Sequence, residues 1–374
     1  RLPGMAALLL AVAGLVLAGC SSPAPGPGSG PGAGSAPGPG TGSATSGRFG
    51  ARQADALVKT TMTTNNTANS KLDERLLASY ETGSALDIDA AQYRGARLSG
   101  TNAGSTPFAL HLRQTVIGPS SSGRATDLES FVAVGRSYLL KKQPRSAKSS
   151  CPHPDTVLVF ESRHGGAYKI ALEPSADAGA VPRITTSRRD LAPALSAPLA
   201  RSAARLPGAI ATALERYEAS GKLGGLSKGD FSGVCWALPN PRAELREAAR
   251  AGFEERDLYR ATGSVVSYPV SGHRAFVIFT LRSAESILAP SGNYVEWQHS
   301  RDDPSSYLLA SGHYSRVTEQ SEIEVAATTG AVSGASRMLY EIIGSYEGIV
   351  SIAGTRVSGG SGQLTAAPLP GISP

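Results

Sequence analysis

The chain has 374 residues, enough for two domains of ordinary size, and 41% of them are hydrophobic. This content excludes a chain that is disordered throughout. The net charge of +6 comes from 36 basic and 30 acidic residues. They are spread along the chain, which falls well short of the concentrated positive charge of a nucleic-acid-binding protein. The 43 glycines and 25 prolines are unevenly placed, which indicates a low-complexity segment beside a folded body.

The N-terminus carries the features of an export signal. Residues 5–18 form an uncharged apolar run as long as the core of a signal peptide and shorter than the roughly 20 residues of a membrane-spanning helix. The run ends in Leu17-Ala18-Gly19-Cys20, which resembles the bacterial lipobox. The resemblance implies that Cys20 carries a lipid anchor on the outer face of the cell membrane. We predict a lipoprotein signal peptide over residues 1–20; the alternative is a secretory peptide with an incidental cysteine.

Residues 21–47 contain only Ser, Pro, Ala, Gly and Thr. None of these side chains is both apolar and large enough to build a core, so the segment is predicted to be a disordered tether. Its role would be to hold a folded body away from the membrane surface.

Two further cysteines, Cys151 and Cys235, lie in the region after the tether. An exported protein meets an oxidising compartment, in which an even number of thiols tends to pair. We predict a Cys151–Cys235 disulfide; two separate buried thiols are the alternative.

The first half of the folded body is predicted to contain helices followed by strands. Helical spacing of apolar residues indicates one long helix over residues 51–79, with three asparagines in its middle that face solvent or bond within the core. A short second helix is expected from Ser84. Four segments with period-two or short apolar patterns then predict an antiparallel sheet: 107–117, 130–140, 156–162 and 166–173.

The second half repeats this order. Helices are predicted over residues 206–220 and 240–261, the latter opened by Asn240 and Pro241. The predicted strands that follow are 264–270, 273–282, 293–299, 305–317, 321–327 and 347–354. The expected fold class is therefore α+β. It has a first domain at 48–180, a connection at 181–205, a second domain at 206–357 and a disordered tail at 358–374.

Two successive units of helices on a curved antiparallel sheet resemble a tandem of NTF2-like or cystatin-like domains. The segment NNTANSKLDERLLASYETGSALDIDAAQYR, residues 65–94, resembles the opening of a family of uncharacterised actinobacterial lipoproteins. This resemblance implies the fold and an envelope location, and no activity follows from it. NTF2-like units often enclose a cavity that serves catalysis in some proteins and binding in others.

Few residues point to chemistry. The sequence contains no G-x-S-x-G, S-x-x-K, H-E-x-x-H, C-x-x-C or G-x-x-x-x-G-K motif, which disfavours the corresponding hydrolases, zincins and P-loop enzymes. If 293–299 and 305–317 form a hairpin, alternation places Trp297, His299 and His313 on one face, where they are candidates to line a pocket. A third ligand for a metal is not evident there, and no cofactor is expected.

Four carboxylates fit ordinary structural roles. Asp87 and Asp89 are two residues apart, and Asp89 is expected at a helix end or on the surface. Glu322 and Glu324 flank Ile323 in an alternating segment and are expected on the solvent face of a strand.

The leading functional expectation is a lipid-anchored, non-catalytic binding or interaction module of the bacterial cell envelope. Its partner would be an envelope protein, a wall polymer or a small apolar ligand, and not a nucleic acid. The alternatives are a cell-wall hydrolase or other enzyme that uses an NTF2-like pocket, and a lipid carrier.

Overall fold

The computed structural model describes residues 49–101, 107–119, 128–140, 154–163, 166–187, 190–220, 252–300, 304–331 and 340–357. Within these ranges the chain is an α+β protein with four α-helices and a large, curved antiparallel sheet. The expected fold class is thus confirmed. Among the described helices, none combines the length and apolar character required to cross a membrane. Cys20, Cys151, Cys235, the tether and the tail lie outside the described residues.

Three helices open the fold: α1 (Ala51–Lys71), α2 (Glu74–Tyr80) and α3 (Gly83–Ser99). The single long helix expected over 51–79 is therefore wrong. Leu72 adopts a left-handed conformation (φ 51°), and the Asp73 carboxylate accepts hydrogen bonds from the backbone N–H groups of Arg75 and Leu76. Asp73 thereby caps a new helix, and the chain changes direction between α1 and α2.

The first group of strands follows the predicted positions closely. They are β1 (Phe108–Pro119), β2 (Leu128–Leu139), β3 (Asp155–Arg163) and β4 (Lys169–Leu172). β1 pairs with β2, β2 with β3 and β3 with β4, all antiparallel.

The segment expected to be only a connection contains structure. The two-residue strand β5 (Ser175–Ala176) lies just before this connection, and the end of the connection begins α4 (Ala197–Ser220), which starts nine residues before the predicted helix. After α4 the described chain resumes at Gly252. The second group of strands is β6 (Glu254–Val270), β7 (Arg274–Leu288), β8 (Val295–Trp297), β9 (Gly312–Gly330) and β10 (Tyr340–Arg356).

Two predicted elements in this half differ from the structure. Residues 254–261, expected at the end of a helix, belong to β6, where pairing with β7 overrides their helical preference. The earlier part of that predicted helix lies outside the described residues. The segment expected as a strand from residue 305 begins with a short 3₁₀ helix, Pro304–Leu308, and only continues as β9 from Gly312.

β5 joins the two groups of strands into one ten-stranded sheet. The strand order is β1-β2-β3-β5-β10-β9-β7-β6, with β4 paired to β3 and β8 to β9. Ala176 of β5 stands opposite both Asp155 of β3 and Gly344 of β10. The two units expected from the sequence therefore share a single sheet.

The sheet packs onto itself, so that its central strands are buried on both faces. Val132 and Val134 of β2 share an inner core with Phe276 and Ile278 of β7, which belong to the other half. The alternate residues of β2 and β3 face α1–α3. Phe131 of β2 and Phe160 of β3, whose rings stack on each other, are two of them. The alternate residues of β7 and β9 face α4. The order of layers is helix, sheet, sheet, helix.

Candidate functional site

The most unusual chemistry in the described residues is a cluster of four acidic side chains between α3 and the sheet. We call it the carboxylate cluster: Glu81, Asp89, Glu173 and Glu324. Glu81 and Glu324 are fully buried, whereas Asp89 and Glu173 retain some contact with solvent. The cluster is therefore an internal site with a partly open side.

Glu324 lies at the centre of the cluster and is held on both carboxylate oxygens. The Ser84 hydroxyl at the start of α3 donates to Oε1 at 2.6 Å, and the backbone N–H of Glu173 donates to Oε2. On the neighbouring strands, Thr280 of β7 and Tyr346 of β10 stand directly opposite Glu324. The Thr280 hydroxyl lies 3.0 Å from that of Ser84, which completes a polar row across three strands.

Asp89 and Tyr346 connect the middle of α3 to β10. The Tyr346 hydroxyl donates to Asp89 Oδ1 at 3.3 Å and accepts a bond from Gln92 Nε2 at 2.7 Å. Gly348, two residues along β10, allows α3 to lie this close, because a Cβ built there would come within 2.3 Å of Ile88 Cγ2. Asp89 is therefore not at a helix end, as one of its expected positions would have it, but half-buried in the middle of α3.

Both carboxylate oxygens of Glu81 are buried and have no hydrogen-bond partner among the described residues. Its backbone is fixed at the end of α2, where it forms a parallel bridge to Ile170 of β4. Its side chain is only 1% exposed. The charges that act on it belong to Asp89, Glu173 and Glu324, all of the same sign.

Burial raises the pKa of every member of the cluster. It raises the pKa of Glu324 to about 8, partly offset by the Ser84 hydrogen bond, and the pKa of Asp89 to about 6. The pKa values of Glu81 and Glu173 also lie well above the ordinary carboxyl range, first because of burial and then because of the neighbouring carboxylates. At neutral pH the cluster must retain protons or meet a cation.

Two other buried acidic side chains of this protein are paired with arginines. Asp155 is completely buried, but Arg113 Nη2 lies 2.8 Å from its Oδ2 and Gly179 N–H donates to the same oxygen. Glu322 is paired with Arg282. Glu322 and Glu324 are thus both buried, and their expected position on a solvent face is wrong. The cause is that β9 is covered on both sides, with Ile323 facing α4.

A second acidic group lies on the outer part of the sheet. Carboxylate oxygens of Glu255, Asp257 and Glu285 lie within 4.8 Å of one another, because the first two alternate on β6 and the third stands opposite Asp257 on β7. These residues are half-buried, and burial raises the pKa of Asp257 to about 6. Glu255 and Glu285 also interact with other groups, so the geometry alone does not define a ligand site.

A groove lies near the other end of α3. It has a volume of about 530 Å³ and runs between the end of α3, the 3₁₀ helix and β10. Gly95 seats α3 against the 3₁₀ helix, since a Cβ there would come 2.6 Å from the Pro304 carbonyl oxygen. Apolar side chains form much of the lining, and two guanidinium groups stand beside them. The lining residues are Arg94, Arg97, Leu98, Leu308, Val350, Ser351 and Ile352.

The two arginines of the groove differ in their partners. Arg97 forms an ion pair with Glu74 and donates to the Leu72 carbonyl at 2.6 Å. Arg94 has no carboxylate within ion-pair distance in the described part of the chain and makes one long contact, 3.4 Å, to the Val350 carbonyl. Leu98 beside it is 61% exposed. Within the described residues, the groove therefore presents one positive charge without an acidic partner next to an apolar surface.

The structure does not bring Trp297, His299 and His313 onto one face. Trp297 pairs with Gly312, whereas His313 stands opposite Glu296, so the two side chains project to opposite sides of the β8–β9 pair. Trp297 is buried, and its Nε1–H donates to Ser306 O at 2.8 Å. His299 and His313 are both exposed. His299 stacks on Tyr307, and His313 stacks on Tyr294.

The asparagines of α1 bond within the protein, one of the two alternatives expected for them. Asn66 bonds the backbone of Phe108 on β1 through both its carbonyl and its amide, at 3.0 and 2.8 Å. Asn69 donates to Asn65 at 2.6 Å and accepts from the Tyr93 hydroxyl of α3. These bonds fix α1 against β1 and α3.

The fold and the sites together define an α+β protein whose helices cover both outer faces of a folded antiparallel sheet, with an internal acidic cluster and a surface groove on one helix. Residues 48–252, more than half of the chain, match the family described as a domain of unknown function, DUF8094. The chain belongs to this family. No curated protein and no solved structure matches it.

Proposed function

We propose that this protein is a lipid-anchored, extracytoplasmic lipoprotein that acts as a non-catalytic binding module of the bacterial cell envelope. The anchor would be Cys20, and residues 21–47 would be the tether between the membrane and the folded body. Phe49, the first described residue, already stacks on Tyr168 of the core, with ring centroids 4.4 Å apart. This position supports a tether that ends immediately before the fold.

The finer structural assignment is also a proposal. Each half has helices against an antiparallel sheet: α1–α3 against the first strands and α4 against β6, β7 and β9. This arrangement supports a tandem of NTF2-like or cystatin-like units and membership of the actinobacterial lipoprotein family resembled by residues 65–94. In that case the units have merged through β5.

The groove beside α3 is the observation that carries the binding function. Its lining is largely apolar, and Arg94 at its edge supplies a positive charge that pairs with no carboxylate of the described residues. A ligand that satisfies both features is an amphiphile with an acidic head group and an apolar chain. Such molecules are expected close to a membrane-tethered protein.

An enzymatic function has weaker support. Glu324 has the raised pKa of a general acid, but it is completely enclosed and both of its oxygens are already hydrogen-bonded. A polymer substrate cannot reach it in this arrangement.

The anchor is tested by changing Cys20→Ala in the full chain, expressed in an actinobacterial host. We expect the unaltered protein to remain with the membranes after a salt wash and its intact mass to begin at Cys20 with a diacylglyceryl group. The altered protein should leave the salt-washed membranes, because the thioether can no longer form. Ser21→Ala is the matched control and should behave like the unaltered chain. Retention of the Cys20→Ala protein would contradict the anchor.

The groove is tested with the fluorescent fatty acid cis-parinaric acid and the chain from Ser21 onward, which contains every described residue. We expect Arg94→Glu to weaken binding at least tenfold, because it replaces an attraction for the carboxylate with a repulsion. Leu98→Asp should weaken binding similarly. The control is Leu258→Asp, an exposed leucine on β6 away from the groove. Equal binding by all four proteins, or none by the unaltered chain, would contradict this ligand class.

A further inference from the structure

One face of the sheet is exposed where β6, β7 and β9 extend beyond the inner core. The even-numbered residues of 254–260 on β6, 282–288 on β7 and 316–322 on β9 lie in register on this face. Those on β6 are all exposed, whereas odd-numbered residues of the opposite face, such as Val317, are buried. We call the exposed surface the arginine face, because four of its twelve residues are arginines.

The two acidic residues of the arginine face are already paired with arginines. Glu254 Oε2 accepts a hydrogen bond from Arg256 Nη2 at 2.8 Å, and Glu322 forms an ion pair with Arg282. The side chains of Arg256 and Arg282 nevertheless remain 69% and 46% exposed. A guanidinium group has five N–H donors, so both side chains keep donors for a further partner.

Arg260 is the arginine of this face that lacks an acidic partner. It lies directly opposite Arg282 on the neighbouring strand, and both side chains are exposed. Like charges that stand directly opposite each other destabilise an antiparallel pair, and Glu322 compensates Arg282 alone. Within the described residues, no carboxylate lies at ion-pair distance from Arg260. An anion bound between these two guanidinium groups would remove their repulsion.

We propose that the arginine face binds a linear anionic polymer of the cell envelope that carries phosphodiester groups along its chain. The choice of an envelope polymer rests on the location given under the proposed function. The surface itself is separate from the groove, because β7 and β9 lie between Arg260 on β6 and the groove beside β10.

The spacing of the arginines favours an extended ligand over a small anion. Adjacent strands lie about 4.8 Å apart and residues about 3.3 Å apart along a strand. Arg260 and Arg282 can therefore share one phosphate, whereas Arg256 is about 13 Å further along β6. Arg316 on β9 is about 20 Å along the strands from the Arg260–Arg282 pair. A chain of repeated phosphates can reach several of these guanidinium groups, each of which can bind phosphate through two parallel hydrogen bonds.

The residues between the arginines favour a hydrophilic polymer over a bilayer or a protein. They include Ser286, Thr318 and Gln320, which offer hydroxyl and amide groups. None of the twelve positions holds an aromatic residue, and the large apolar side chains are Leu258 and the half-buried Leu288. Surfaces that insert into membranes or form protein interfaces usually present several aromatic or large apolar side chains together.

The test is fluorescence polarisation of labelled poly(glycerol phosphate), titrated with the chain from Ser21 onward at pH 7.5. We expect saturable binding at 50 mM NaCl that weakens roughly tenfold at 200 mM, because two or three phosphate contacts release their counterions. A single-stranded oligonucleotide of equal charge and vesicles with 30% phosphatidylglycerol are the competing partners, and both should bind more weakly.

Charge-reversal variants connect the binding to this face. Arg260→Glu should weaken polymer binding at least fivefold, and Arg256→Glu should weaken it at least threefold. Arg205→Glu, an exposed residue of α4, makes the same change of charge behind the opposite face and should stay within about twofold of the unaltered chain. Arg260→Glu places a carboxylate opposite Arg282, so its thermal transition should not fall. Its binding of cis-parinaric acid should be unchanged, which separates this test from that of the groove.

Three results would overturn the proposal. The first is that the unaltered chain does not bind the polymer at 50 mM NaCl. The second is an equal loss in Arg260→Glu and Arg205→Glu, which would mean that the polymer responds to net charge alone. The third is tighter binding of the oligonucleotide or the vesicles, which would assign the face to a different partner.

Discussion

Gly344→Ala is expected to lower the free energy of unfolding by roughly 2–3 kcal/mol. A Cβ at this position of β10 would come 2.5 Å from the carbonyl oxygen of Ser175 and 2.7 Å from the Cβ of Ala176. Both atoms belong to β5, which is bonded on its other side to β3 and so has little freedom to withdraw. The methyl group would therefore separate the strands that join the two halves of the sheet. Urea unfolding followed by tryptophan fluorescence measures the loss.

Gly330→Ala is the matched control for this change. Gly330 ends β9, and a Cβ built there meets no atom within 4 Å. We expect its effect to stay within about 0.5 kcal/mol of zero, or to be slightly stabilising because alanine restricts the unfolded chain. Equal losses for the two variants would contradict the view that close packing at β5 holds the halves together.

The second large effect is expected from pH. In EDTA, the free energy of unfolding should fall by roughly 3–5 kcal/mol as the pH rises from 5 to 9. The folded protein holds the pKa of Asp89 at about 6 and that of Glu324 at about 8, above the ordinary carboxyl values that apply after unfolding. At a pH between the unfolded and the folded pKa of each group, the folded state binds more protons than the unfolded state, so raising the pH favours unfolding. Chemical denaturation at each pH provides the measurement.

Other titratable groups do not reverse the direction of this pH dependence. Burial also raises the pKa of Asp257 to about 6, which adds a slope in the same direction. The pKa values of Tyr80, Tyr93 and Tyr346 are raised by burial, and these phenols remain protonated over the range.

Glu81→Gln isolates the contribution of the cluster. The amide cannot ionise, so the pH dependence should become shallower and the variant should be more stable than the unaltered chain at pH 9. Asp87→Asn, an exposed residue of α3, is the control and should leave the curve unchanged. Parallel curves for the unaltered chain and Glu81→Gln would show that this carboxyl does not titrate differently on folding.

Local patterns predicted the strands of the first half well, because each of β1, β2 and β3 is bounded by turn residues and pairs with its neighbour in sequence. The predicted strands 264–270 and 273–282 also correspond to parts of β6 and β7, whose connecting turn places Gly272 and His273 at positive φ. The break between α1 and α2 was missed, although Asp73 followed by Glu74 is a recognisable helix start.

The candidate sites could not be found in the same way. Glu322 and Glu324 alternate with apolar residues as on a half-exposed strand, and only the folding of the sheet onto itself covers their side. Asp89 lies in a helix whose polar face meets β10, some 250 residues later. Such burial depends on contacts distant in sequence, which composition and periodicity do not report. The close contact of α3 with Gly348 also joins segments distant in sequence, and local patterns do not predict it.

The position of β10 in the sheet determines when the protein can finish folding during its synthesis. β10 is the last of the described strands, yet it lies between β9 and β5, so the inner core shared by Val134 and Phe276 cannot close before residues 340–356 are present. The family-matched region ends well before that strand. Until synthesis reaches it, β3 and the opposing half carry uncovered valines and unpaired strand edges, which are the usual starting points of aggregation. A chain interrupted before Tyr340 is therefore expected to need a chaperone or to be degraded.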